Sequence, residues 1–379
     1  MPSGPTDTVV ILDQASGYLQ IDMLEAYASK YAHRVIIAGS IVERGNPLPA
    51  DVKWHKITPY NRDTAFKRIW TWLSASLSMF WIVLFRYRNA HIVAITNPPF
   101  TPFIPWLAGC SFDILIYDMY PDALVHYGYT KPSGAIYRIW SDLNRRAFKK
   151  ARKIFTLTEG MKRLAAQYVA DESQIEIVPL WSEASDFNFI KKEDNLILKI
   201  THSLGKFVLV YSGNLGLTHP VEKLVELGQY LDPEKFAIVI IGGGAKQKTL
   251  DNLLKEKGFS HVHLLPWQPI ENLSHNLYAA DINVVTLDSQ ASDLSIPSKT
   301  FNILSIGNPV LGICSKNSGL SALITQYDCG LTSRGDNLEE LAQQLIRLEA
   351  NRTELNRLKE NSLLASSQFT KENAKVFLR

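Results

Sequence analysis

Tyr211-Ser212-Gly213-Asn214-Leu215-Gly216 closes an apolar run over residues 207–211, and Ile241-Gly242-Gly243-Gly244 closes a second over 237–241. Each run is short and β-rich, and each leads through small residues into a helical pattern. That order predicts a strand, a tight turn and a helix, twice in succession. In a doubly wound parallel sheet, ligands bind beyond the carboxyl ends of the strands. Small residues there let the backbone approach an anion, and a helix amino terminus offers free N–H groups. Glycine also simply makes turns, so one such stretch says little. Two in consecutive units point to a nucleotide half-site.

Working outward, a third element follows the expected strand 282–287. Asp293-Leu294-Ser295-Ile296-Pro297-Ser298-Lys299 opens a helix, with Pro297 suited to its first turn. A lysine at a helix amino terminus opposes the macrodipole, so an anion nearby would explain Lys299. An ordinary capped surface helix is the alternative. Pro266-Trp267-Gln268-Pro269 follows the strand 261–265 and puts Trp267 either beside a base or in the core. In the first half, Asn97-Pro98-Pro99 ends the strand 91–95 in a rigid loop. Asp118 and Asp122 bracket Tyr120-Pro121 beyond the strand 114–117. Carboxylates there suit sugar hydroxyls or proton transfer, and capping of the next helix serves equally well.

Strand and helix alternate through the remainder, which predicts an α/β chain with parallel sheets covered on both faces. At 379 residues, two domains are the default. The charged stretch Lys191-Lys192-Glu193-Asp194 lies between two periodic regions. The expected division is therefore residues 1–186, a linker over 187–205, and a second domain over 206–360. A terminal helix over 361–379 is expected to pack back toward the first domain.

Composition excludes a good deal. Apolar residues make up 46% and charged residues 20%, an ordinary globular balance that rules out a disordered or fibrous chain. Three cysteines are too few and too scattered for a disulfide framework, and neither they nor the nine histidines have metal-ligand spacing. No metal and no resident cofactor are expected. The start lacks the basic, apolar and small-residue order of a signal peptide. Net charge is only +3, yet residues 131–163 hold ten Lys/Arg against Asp142 and Glu159. A solvated helix face explains that cluster, and so does contact with anionic lipid. No nucleic-acid motif accompanies it. Residues 69–85 are uncharged and rich in Trp and Phe, at the short limit for a membrane span. Cationic residues flank both ends, and the strands on either side read as one sheet. A buried or half-buried helix with an apolar face toward a bilayer is expected instead.

Taken together, the residues resemble family 4 glycosyltransferases of the GT-B fold. The carriers are Tyr211 to Gly216, Ile241 to Ala245, Leu265-Pro-Trp-Gln-Pro269, Ala279-Ala-Asp281, Ile296-Pro-Ser-Lys299 and Gly307-Asn-Pro-Val310. In the first half they are Asn97 to Pro99, Tyr117 to Asp122, Leu157 to Met161 and Val178 to Trp181. The resemblance covers nearly the whole chain and is strongest to the capsule, colanic-acid and O-antigen branch. It implies two Rossmann-like domains facing a central cleft, and retaining transfer of a sugar from a UDP- or GDP-type donor without a metal. Carried over by position, Gly213, Asn214, Gly216 and Gly243 line the diphosphate, Ser298 and Lys299 hold phosphate oxygens, and Trp267 lies near the base. Asp293, Ser295, Ile296, Pro297 and Asn302 complete the donor side. Asp118 faces the transferred sugar as a catalytic candidate with Lys299, and Pro98, Pro99, Tyr120 and Asp122 stand on the acceptor side.

Many members carry two glutamates eight residues apart in the donor loop; here the second position is Asn302 and the acid nearest the first is Asp293. Many carry an arginine and a lysine where Asn214 and His219 stand. The expected acceptor is a polyprenyl-diphosphate-linked or other glycan. The expected place is the cytoplasm, peripheral on the inner face of the membrane. A sugar-nucleotide epimerase or a non-catalytic scaffold of the same fold are the competing readings. A nicotinamide dehydrogenase is disfavoured, because Gly213-x-x-Gly216 is not the dinucleotide fingerprint.

Overall fold

The structure, a computed structural model, describes residues 7–61, 63–126, 128–216, 219–288 and 296–379. It divides into two compact units, Met1–Leu180 with Lys371–Arg379, and Trp181–Thr370.

Unit 1 holds the strands β1 (Thr8–Leu12), β2 (Ala15–Gly17), β3 (His33–Ala38), β4 (Ser40–Val42), β5 (Lys53–Lys56), β6 (His91–Ile95), β7 (Ser111–Ile116), β8 (Ile154–Thr156) and β9 (Ile175–Ile177). Its helices are α1 (Tyr18–Tyr27), α2 (Ala65–Arg86), α3 (Phe103–Ala108), α4 (Asp122–His126), α5 (Ala135–Phe148) and α6 (Glu159–Ala166). Seven strands form one parallel sheet in the order β5-β3-β1-β6-β7-β8-β9, and β2 pairs separately with β4. Strand β1 is central, with Val10 opposite both Val35 and Ile92. Val9 to Leu12 are fully buried, because helices cover both faces of a parallel sheet. Each such side chain contributes roughly 1.5–3 kcal/mol relative to exposure.

Helix α2 runs 22 residues from Thr64, whose hydroxyl accepts the Lys67 N–H at 3.2 Å. Thr71, Ala75, Met79 and Val83, four residues apart, form its buried edge. Ala75, Met79 and Val83 share the core with Val10, Val35 and Ile92. The strands before and after α2 belong to the same sheet, so the helix leaves and rejoins one layer and does not cross a bilayer.

Unit 2 holds β10 (Phe207–Ser212), β11 (Phe236–Ile241), β12 (Val262–Leu265), β13 (Ile282–Thr286), β14 (Val310–Ile313) and β15 (Gly330–Ser333), all parallel, in the order β12-β11-β10-β13-β14-β15. Its helices are α7 (Leu196–Ile200), α8 (Glu222–Leu227), α9 (Gln247–Lys257), α10 (Leu273–Tyr278), α11 (Lys299–Ser305), α12 (Gly319–Tyr327), α13 (Leu338–Ala350) and α14 (Arg352–Ser366). Leu209, Tyr211, Ile238 and Ile240 serve the core on one face of the sheet, and Val208, Val210, Val239 and Ile241 serve the other.

Two expected boundaries move. Residues 187–205 are not a linker, and the chain divides at Leu180–Trp181. Lys192 pairs with the buried Asp281 at 2.5 Å, and Ile197 and Leu198 of α7 pack with Val208 and Val210. The charged run covers a core that its composition conceals. Residues 361–379 are likewise not one helix. α14 stops at Ser366, and Phe369 packs on Phe301 and Tyr327 within unit 2. Lys371–Leu378 is a 3-10 segment of unit 1, held by Phe377 against Phe155 and by Lys30 Nζ donating to the Leu378 carbonyl at 2.7 Å.

Candidate functional site

In unit 2 the strand order reverses between β10 and β13; Gly213, Asn214 and Gly216 follow β10 at that switch point and Lys299 meets Tyr211 there, while Gly243 and Trp267 follow β11 and β12. The turns after β10 and β11 interlock. The Gly213 N–H donates to the Ile241 carbonyl at 2.9 Å, and the Leu215 N–H donates to the Gly243 carbonyl at 3.0 Å. A Cβ on Gly242 would stand 1.9 Å from the Gly213 carbonyl oxygen, which no shift of a side chain could relieve. A Cβ on Gly213 would meet Lys299 Nζ at 2.7 Å. Close approach requires glycine at 242, while a side chain at 213 would displace the Lys299 ammonium.

Lys299 is the first residue of α11, with Ser298 exposed at its amino-terminal cap and Ile296 and Pro297 half-buried before it. The lysine stem is partly open, but its Nζ is enclosed and has no hydrogen-bond partner among the described residues. The ammonium lies 3.6 Å from the centre of the Tyr211 ring. Burial pushes its pKa down to about 7. The Tyr211 hydroxyl donates to the Asn214 carbonyl at 2.7 Å, so the ring is fixed by the same turn. His219 is also held low, first by burial and then by Lys299, and its Nδ1 lies 2.8 Å from the Thr286 carbonyl oxygen. A diphosphate would satisfy the lone ammonium and restore its charge.

Trp267 is 57% exposed and lies along Gly243, where a Cβ would touch its indole at 2.8 Å. It is therefore surface and not core. Asn214 is exposed and Gly216 half-buried in the same turn. Asn302 lies within the buried run Thr300–Ser305, on the packed side of α11. Asp293 and Ser295 lie outside the described residues. Among the described residues, no cluster of three or more His, Cys, Asp or Glu could hold a metal.

In unit 1 the acceptor-side expectations separate. Asp118 is exposed just beyond β7. Neighbouring protein displaces enough water to raise its carboxyl above the ordinary aspartate range, while the residue stays open to a ligand. Asp122 is committed to the fold. The Tyr137 hydroxyl donates to Oδ1 at 2.9 Å and the Tyr168 hydroxyl to Oδ2 at 2.6 Å. Pro98 and Pro99 are buried and shape the loop without facing solvent. Tyr120 stacks on Trp140 at 5.7 Å and meets Trp72 edge-on at 5.8 Å. Phe100 extends this strip beyond Trp140, and Tyr60 extends it beyond Trp72.

Sequence reading missed Asp13, which ends the β1 run beside Asn97. Asp13 is fully buried, and its Oδ1 accepts from Asn97 Nδ2 at 3.0 Å and from the Ala15 N–H at 3.3 Å. Its Oδ2 has no partner among the described residues. Desolvation raises its pKa to about 7 against the lowering effect of those donors. The available signal was an Asp-Gln pair directly after four apolar strand residues, at a carboxyl end.

Residues 193–364 match the family of glycosyl transferases group 1. The chain is 24% identical over 247 residues to a Pseudomonas aeruginosa protein named probable glycosyltransferase WbjE, which covers 64% of this chain and 62% of that one. It is 24% identical over 205 residues to an Escherichia coli K12 protein named for colanic acid biosynthesis, the glycosyl transferase WcaI, covering 53% and 50%. The chain thus matches less than two thirds of either relative. In structure it superposes on Anabaena HepE, solved with UDP and glucose, with a TM-score of 0.71, 13% identity and 98% of both chains covered. It also superposes on WaaG, a glycosyltransferase involved in lipopolysaccharide biosynthesis, with a TM-score of 0.67, 15% identity and 97% and 99% covered. The fold is the GT-B fold of these neighbours.

Proposed function

We propose that this chain, whose residues 193–364 belong to the glycosyl transferases group 1 family, moves a sugar from a nucleoside diphosphate sugar to an acceptor hydroxyl in cell-surface polysaccharide synthesis. The observation that carries the reading is Lys299, an enclosed ammonium without a hydrogen-bond partner among the described residues, set against the interlocked glycine turns after β10 and β11. Such a group stabilises negative charge as it develops on a leaving diphosphate, without reorganising at that moment. The nucleotides held by HepE support a nucleotide donor here.

We assign the chemistry as follows. The bond from the anomeric carbon to the diphosphate oxygen breaks, and the acceptor oxygen bonds to that carbon from the face the diphosphate leaves. The acceptor's proton passes to the departing diphosphate oxygen, and the configuration is retained. Lys299, with the Ser298 hydroxyl beside it, stabilises the leaving group, Trp267 lies against the base, and Asp118 orients sugar hydroxyls. The acceptor is a lipid-linked glycan, and the enzyme works peripherally at the inner face of the membrane. No resident cofactor enters this scheme.

The test is incubation with UDP- and GDP-linked sugars, with and without a glycan lipid. Saturable donor binding and a new glycoside formed only with acceptor are expected. A rearranged sugar nucleotide without glycoside would establish an epimerase instead. Failure to bind any nucleoside diphosphate in calorimetry would leave a scaffold.

A further inference from the structure

Helix α2 carries a second face that neither the fold nor the donor site uses. Phe66, Trp70, Leu73, Leu77, Trp81 and Phe85 recur every three or four residues, opposite the edge formed by Thr71, Ala75, Met79 and Val83. All six are between 47% and 77% exposed. Trp81 and Phe85 stack on each other at 5.4 Å on that open side. The helix is 22 residues long, about 33 Å at 1.5 Å per residue, so this is one continuous apolar stripe. α3 packs against both α2 and α5, and it adds the exposed Leu107. α5 adds the exposed Ile136 and Ile139. An apolar surface of this kind marks an interaction site.

Charge selects the occupant. No Asp or Glu occurs between Asp63 and Asp113. Exposed Lys67, paired with Asp63 at 3.2 Å, stands at one end of the stripe and exposed Arg86 and Arg88 at the other. Exposed Arg145, Lys149 and Lys150 lie on or just after α5, with Arg146 paired to Asp142 at 2.9 Å. A second copy of this chain, docked stripe to stripe, would bring like charges together. An anionic lipid surface meets the same pattern with opposite charge, and large aromatic and aliphatic side chains suit the boundary between headgroups and acyl chains.

We propose that α2 is an in-plane membrane-docking helix, which buries the Phe66–Phe85 stripe in an anionic phospholipid leaflet while Thr71, Ala75, Met79 and Val83 keep it fixed to the unit 1 core. The inference takes from the proposed function only that the acceptor is membrane-held. Docking is measured without donor or acceptor, so the two readings fail separately.

The experiment is flotation of the full chain with phosphatidylcholine vesicles, with and without phosphatidylglycerol. The wild-type chain is expected to float with the anionic vesicles and to be released by salt. Leu73→Ser/Leu77→Ser/Trp81→Ser is expected to lower the bound fraction at least ~10-fold, since each change removes buried apolar area. Its nucleotide binding and melting temperature are expected to match the wild type. Quenching of tryptophan emission by brominated lipid, read on the unaltered chain, keeps the test open if the triple variant folds poorly. A wild-type chain that stays unbound and unquenched overturns the proposal. So does a variant that floats like the wild type. A wild-type dimer that the triple variant dissolves in sedimentation would assign the stripe to a second copy and also overturn it.

Discussion

The two units share a strand order through their centres, yet their switch points are made of different materials. In unit 2, β10 ends in a glycine turn, and one enclosed ammonium, Lys299 at the start of α11, lies over the Tyr211 ring. In unit 1, β1 and β6 end in an enclosed carboxyl, Asp13, braced by Asn97. Both groups are driven toward neutrality by burial, with pKa values of about 7 reached from opposite directions. The unit 2 arrangement favours an arriving anion, which would recharge its lysine. The unit 1 carboxyl is fully buried and is lodged in the fold itself. The same frame thus encloses a cation in one unit and a carboxyl in the other, according to one side chain near a strand end.

The strongest way to break this comparison is Lys299→Ala. Turnover is expected to fall at least ~100-fold, roughly 2.7 kcal/mol, with the melting curve intact. Turnover within threefold of wild type would remove Lys299 from the site. The pH dependence sharpens the point. The unliganded lysine loses its proton as pH rises through about 7. Nucleoside diphosphate affinity of the wild type should therefore weaken steadily from pH 7 to pH 9, by up to about tenfold per unit. Lys299→Ala should be weaker throughout and flat over that range in calorimetry.

The second effect belongs to Asp13. Its folded pKa of about 7 exceeds the ordinary 3.8, so the native state holds a proton that the unfolded chain has released. That contribution is complete below pH 4 and is lost as pH rises through 7. Between pH 5 and pH 8 the wild type should lose about 3 kcal/mol from this group, most of it before pH 7. Asp13→Asn keeps an acceptor for Asn97 and should flatten the trend in denaturant melts at the two pH values. An unchanged slope would show that Asp13 is already ionised in the fold.

The smallest effect is expected at Trp267. Its exposed indole lies along Gly243, and Trp267→Ala should weaken nucleotide binding about fivefold, near 1 kcal/mol, by loss of stacking on the base. Binding of inorganic diphosphate should not change. Equal losses for both ligands would place Trp267 against phosphate and not base.

Much of the architecture was readable because buried parallel strands are continuous apolar runs. Val9 to Leu12 and Ala237 to Ile241 are examples, and glycines mark where two of those runs end. β15 escaped that reading. Gly330–Ser333 is a half-exposed edge strand of Gly-Leu-Thr-Ser, with no apolar run to announce it. α3 escaped because Phe-Ile-Pro-Trp-Leu-Ala carries an internal proline and is only six residues long. The glycine turns after β10 and β11 were legible because small residues closing an apolar run are a local pattern, whereas the contact between Gly213 and Gly242 that constrains them is tertiary. Asp122 was not, because its two tyrosine partners, Tyr137 and Tyr168, lie 15 and 46 residues away.

The helical period of α2 declares two faces and the missing acids declare a charge, but periodicity cannot say which apolar face meets the core. Tertiary packing made that choice, placing Ala75, Met79 and Val83 on the sheet and leaving Trp70, Leu73 and Leu77 outside. Lys299 follows the same rule. Its place at a helix start is written in Pro297-Ser298-Lys299. Its enclosure over Tyr211, and so its lowered pKa, arises only when the start of α11 meets the end of β10. Local patterns set what each segment is able to form, whereas desolvation depends on which segments come together.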